Sequence, residues 1–175
     1  YSHQNHAPAD QRKCELGNHR PLEVVLEQLR EGRHKLQRLL EERFRPVLVP
    51  PWNRLDERLP SRLAESGFAG LSTLGPRSQP TIDGIRQVNV HIDIIDWKTR
   101  GFAGDERALQ QLINHLAARR EGRADTLEAT GLMTHHLAHD EACWQFCSRL
   151  FEFLQYRQVR WVSADELFSP EIPIP

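Results

Sequence analysis

The stretch GLMTHHLAHD, Gly131 to Asp140, opens apolar and then places His135, His136, His139 and Asp140 within six positions. Histidine changes charge near neutral pH, so such a group suits acid–base work or a divalent metal. On a strand, successive side chains face opposite ways, so only one of His135 and His136 faces a site. Met133 then accompanies His135, and Thr134 accompanies His136. His139 and Asp140 fall where the next helix begins, and Asp140 is suited to cap it. A second group, DIIDW, sets Asp93 and Asp96 beside Trp97. Its carboxylates either cap the turn after a strand or serve a site. His3 and His6 stand three apart and can share a metal, a pairing that random surfaces also produce. RREGR, Arg119 to Arg123, reads as a solvated helix end.

The apolar spacing indicates what must carry these groups. Leu22, Val25, Leu26, Leu29, Leu36, Leu39 and Leu40 repeat at helical spacing, predicting a helix from Pro21 to about Glu42 with proline in its first turn. RPVLVPP predicts a short strand ended by Pro50 and Pro51, and Arg54 to Ser66 a second helix closed by Gly67. FAGLSTL follows as a strand. In RQVNVHIDII, Val88, Val90, Ile92 and Ile94 alternate with Asn89, His91 and Asp93, the signature of a two-faced strand. Asp105 to Arg120 predicts a helix, TGLMTHHL a strand, and Asp140 to Gln155 a helix burying Cys143, Cys147, Leu150, Phe151 and Leu154. VRWVSADELF predicts a last strand entering a helical turn, and SPEIPIP a Pro-rich tail over 169–175. Residues 1–168 thus read as one α/β domain of parallel βαβ units, either a barrel or a doubly wound sheet. Ligands in such folds bind beyond the carboxyl ends of strands. Three predicted strand ends carry Trp52 with Asn53, Asp96 with Trp97, and His135 with His136. Trp52, Asp96 and His135 are therefore expected to open onto one cleft.

The bulk properties narrow the function classes. A formal charge of −1 and a pI near 6.8 over 175 residues give no electrostatic case for nucleic acid or an anionic membrane. No apolar run approaches the length of a membrane span, and no signal peptide is visible. The three cysteines, an odd number without metal-type spacing, fit a reducing cytoplasm. The sequence begins at Tyr1 and its one methionine is Met133, so it reads as part of a longer polypeptide.

Taken in order, YSH, VPPWNR, DIIDW and LMTHH resemble motifs two to five of the NodB-type polysaccharide deacetylases, carbohydrate esterase family 4. The resemblance implies an irregular (β/α) barrel, of which this chain would be roughly the C-terminal two-thirds. It also implies a metal-dependent hydrolase, with Zn2+ the usual ion, that removes acetyl groups from an N-acetylated amino sugar or glycan. Carried over by position, His3 becomes a metal ligand, while Trp52 offers its backbone N–H to the oxyanion. Asp96 becomes the carboxylate that orients and charges the catalytic histidine. Trp97 and Met133 line the acetyl pocket, and His135 becomes the general acid. Val49 stands where the family has an arginine, with Arg54 five residues on. The family's first motif, which supplies an aspartate ligand and the aspartate base, has no match in the chain. A non-catalytic carbohydrate-binding relative of the same fold is the alternative. A third reading, an unrelated zinc enzyme, would use His135 and His139 one helical turn apart.

Overall fold

The structure is a computed structural model that describes residues 3–135 and 137–169. His136 lies outside the described residues, as does most of the SPEIPIP segment, so the expectation for His136 rests on sequence alone. The chain forms two compact units. One draws on the chain up to Thr73, Gln79–Val88 and the chain from Ala164; the other on Leu74–Ser78 and Asn89–Ser163.

The first unit is built on α1 (Leu22–Leu40), whose leucine spacing does produce a helix. Only its first half is covered: Val25, Leu26 and Leu29 are buried, whereas Leu36, Leu39 and Leu40 are exposed. Strand β1 (Val47–Leu48) pairs in parallel with β2 (Gly70–Leu71), and β2 in parallel with β4 (Ile85–Gln87). The short β3 (Thr81–Ile82) closes a hairpin on β4. Leu16, Leu26, Leu48, Leu59, Leu63, Leu71 and Ile85 form its core with the buried face of α1.

The helix expected from Arg54 to Ser66 is reduced to α2 (Pro60–Leu63). The cause is local. Asp56 accepts the Arg58 N–H at 2.9 Å, an Asx turn that competes with helical bonding. Pro60 lacks an N–H, so it can open a helix but cannot continue one.

The second unit packs α3 (Asp105–Arg120) and α4 (Glu141–Gln155) over short strands. Strand β5 (Ile92–Asp93) pairs in parallel with β8 (Leu132–Met133), in the register Ile92 to Leu132 and Asp93 to Met133. Strands β6 (Ile95–Asp96) and β7 (Gly101–Phe102) make an antiparallel hairpin. Ile92, Ile94, Ile95, Ala108, Cys143, Phe146, Cys147 and Leu150 form the core. Gly131 lets the β8 segment approach closely, because a Cβ there would meet the Asn89 carbonyl oxygen at 2.8 Å.

Among the described residues the sheets are small and none closes into a barrel. Two expectations need correction. The strand read in VRWVSADELF is absent, and only its helical turn forms, as α5 (Ala164–Phe168). The segment RQVNVHIDII, expected as one strand, is broken between β4 and β5. Asn89, His91 and Asp93 are all buried.

Candidate active site

Strand β8 ends at Met133, so His135 projects from the loop beyond the strand rather than from its face. The parity argument used for His135 and His136 therefore does not apply at His135. The parallel register sets Met133 beside Asp93, and two residues farther along the chain reaches the Asp93 side chain. His135 Nε2 lies 3.2 Å from Asp93 Oδ1.

Asp93 is fixed from every side. Its backbone N–H donates to Gln111 Oε1 at 3.0 Å, and its carbonyl accepts from Gln111 Nε2 at 2.9 Å, which ties the end of β5 to α3. Its Oδ1 also accepts the Ile95 N–H at 3.1 Å, and its Oδ2 accepts Trp97 Nε1 at 2.8 Å. The Trp97 ring meets His135 edge-on, with centroids 4.8 Å apart and planes at 88°. One half-buried histidine is thus held by one buried carboxylate and walled by one indole. Such a carboxylate orients the imidazole, as a general acid requires. With Nε2 turned to Asp93, Nδ1 is the nitrogen left to meet a substrate.

The carboxylate at His135 is therefore Asp93, not the Asp96 expected from the resemblance. Asp96 caps the β6–β7 turn instead: its Oδ1 accepts the Lys98 N–H at 3.0 Å and its carbonyl the Arg100 N–H at 2.7 Å. Both aspartates of DIIDW accept the N–H two residues on, and of the two only Asp93 also contacts His135 among the described residues.

His139 belongs to the same loop. Its N–H donates to the His135 carbonyl at 3.0 Å, and its ring meets Trp144 edge-on at 4.6 Å. Both ring nitrogens are shielded from solvent without a hydrogen-bond partner among the described residues. Burial, then the neighbouring His135, pushes its pKa below the usual histidine value. Leu137 and Ala138 form a turn closed by the bond from the His139 N–H to the His135 carbonyl, and among the described residues the turn does not extend into a helix before Asp140. Asp140 caps α4, with Oδ1 accepting the Cys143 N–H at 2.9 Å.

In the first unit, His3 and Trp52 come together, their ring centroids 4.7 Å apart. Trp52 sits in the short 3-10 turn Pro51–Asn53 with φ 55°, and Asn53 follows at the same φ. Left-handed backbone at a bulky aromatic costs on the order of 1–3 kcal/mol, the kind of strain that functional turns retain. Arg54 does not reach out as a free cation; its Nη1 donates to the Lys13 carbonyl at 2.8 Å. Val49 is exposed.

No protein-family model matches the chain, and no curated protein or solved structure is similar to it. Among the described residues, no helix is long and apolar enough to cross a membrane.

Proposed function

We propose that the chain is part of a metal-dependent hydrolase that removes acetyl groups from an N-acetylated amino sugar or glycan, with His135 as general acid and Asp93 as the carboxylate that orients it. The carrying observation is the Asp93–His135–Trp97 arrangement, in which one carboxylate holds both the imidazole and the indole. When the amide C–N bond breaks, the departing nitrogen needs a proton, and His135 Nδ1 supplies it. Asp93 stabilises the imidazolium before transfer, while Trp97 and Met133 give the acetyl group an apolar wall.

The resemblance also puts a zinc-like ion at His3. Among the described residues His3 joins no cluster of three ligand atoms, and its ring lies against Trp52. The described residues do not make that metal site by themselves. The three cysteines are free and buried, in keeping with the reducing cytoplasm proposed as the setting.

Acetate release from N-acetylated amino-sugar oligomers by the full-length protein tests the reading. His135→Ala is expected to lower kcat by roughly 10²-fold or more, the usual scale for removing a general acid, without loss of fold. Full turnover in folded His135→Ala would end the catalytic reading. Oligomer binding without turnover in the wild type would favour the carbohydrate-binding alternative.

A further inference from the structure

Beyond Asp93 the buried polar face leads to a second group of side chains that the deacetylase reading leaves without a role. His91 precedes β5, His115 lies on α3, and Glu128 lies in the loop that leads to β8. They are 8%, 5% and 0% exposed. Their ligand atoms all lie within 4.8 Å of one another. The two imidazoles are stacked, centroids 3.5 Å apart and planes within 12°.

Two features set this group apart from a satisfied polar core. The first is that both Nε2 atoms lack a hydrogen-bond partner among the described residues. His91 Nε2 is 3.2 Å from Glu128 Oε2, close enough for an ionic contact but misdirected for a hydrogen bond. His115 is held only through Nδ1, 3.1 Å from Thr130 Oγ1. Buried nitrogens left bare call for a water or an ion.

The second feature is the enclosure of Glu128, which is 0% exposed. Its Oε1 accepts the Asn89 N–H at 3.3 Å and its Oε2 the Arg77 N–H at 3.1 Å. Its one ion-pair partner among the described residues is His91, whose Nδ1 accepts the Gly131 N–H at 3.1 Å. The Arg77 guanidinium turns to Asp125, at 2.8 Å. A carboxylate so enclosed, with two imidazoles beside it, is a setting that a cation suits.

We infer that His91 Nε2, His115 Nε2 and a Glu128 oxygen form a binding site for a divalent transition-metal ion of the zinc class. Two imidazoles and a carboxylate are a zinc-type donor set, whereas calcium and magnesium prefer all-oxygen sites. The donors need only draw in to ~3.4 Å from one another, the separation that tetrahedral ligands on ~2.1 Å bonds require. His91 must carry its proton on Nδ1 to ligate through Nε2, giving up the Gly131 N–H bond in exchange for a metal bond. The segment stays anchored, because the Gly131 carbonyl still accepts the His91 N–H at 2.7 Å. The ion would clamp α3, the entry to β5 and the Glu128 loop together, two residues from Asp93. Its role is structural and does not depend on the proposed deacetylase activity.

The test uses full-length His3→Ala protein, so that any ion at His3 does not contribute. After chelation and reloading with zinc or cobalt, it is expected to retain about one ion per chain, to show the visible spectrum of tetrahedral cobalt, and to melt higher with metal than without. Adding His115→Gln or Glu128→Gln should abolish the spectrum and the shift in melting. Absence of a cobalt spectrum and of a metal-dependent shift in the His3→Ala protein, which needs no further variant to fold, would overturn the inference. So would an unchanged spectrum in folded His115→Gln.

Discussion

Asp93 makes five polar contacts, two through its backbone to Gln111 and three through its carboxylate. The Trp97 indole is the one contact that can be removed while keeping the aromatic wall. Trp97→Phe keeps the face toward His135 and loses the hydrogen bond to Oδ2. A charge-assisted bond is worth ~1.5–3 kcal/mol, so if it is needed mainly in the transition state kcat should fall by roughly tenfold to a hundredfold. Thermal stability should change little, because Trp97 is half exposed; steady-state kinetics beside a melting curve separates the two. At this scale the sequence was only partly legible. DIIDW announced two carboxylates near an indole, but choosing between them required the β5–β8 register, a contact between residues 42 apart in the chain. A signal was present in the alternation that grouped Asp93 with Asn89 and His91. Its meaning as a buried face depended on covering from α3, through Gln111 and His115. The His91–His115–Glu128 group was invisible for the same reason, since no spacing relates its members.

The elements divide by how local their hydrogen bonds are. Helices α3 and α4 form where their periodicity placed them, because every helical bond lies within the segment. The strands are two or three residues long, and their pairing depends on partners far along the chain, which apolar patterning does not reveal. Val159 and Trp161 alternate as a strand would but remain exposed. The start of α4 was legible from one residue, since aspartate before an apolar helix is a cap. Asp140 does more than cap: its Oδ2 also accepts the Phe102 N–H at 3.0 Å, tying β7 to α4. Asp140→Ala frees two N–H groups at once and should lower the thermal midpoint by more than loss of an ordinary cap, which is on the order of a few degrees in a domain of this size. Asp140→Asn should retain most of the midpoint, since its side-chain oxygen still accepts. Equal melting of Asp140→Ala and wild type would show that the cap contributes nothing.

On the scale of the whole molecule, each unit has its own apolar core and its own group of special residues: His3 with Trp52 in the first unit, His135 with Asp93 and Trp97 in the second. The α/β class and the alternation of strands and helices were readable from the sequence. The pairing of the short strands was not, because it depends on registers that no local pattern encodes. The central claim, that His135 works as a proton donor held by Asp93, reduces to one comparison of full-length variants on N-acetylated amino-sugar oligomers. Asp93→Asn keeps the shape but removes the charge beside His135, and should lower kcat by about 10²-fold with unchanged metal content. Asp96→Asn leaves an oxygen to accept the Lys98 N–H and should stay within a few-fold of wild type. Loss of turnover in Asp96→Asn with full activity in Asp93→Asn would contradict the account.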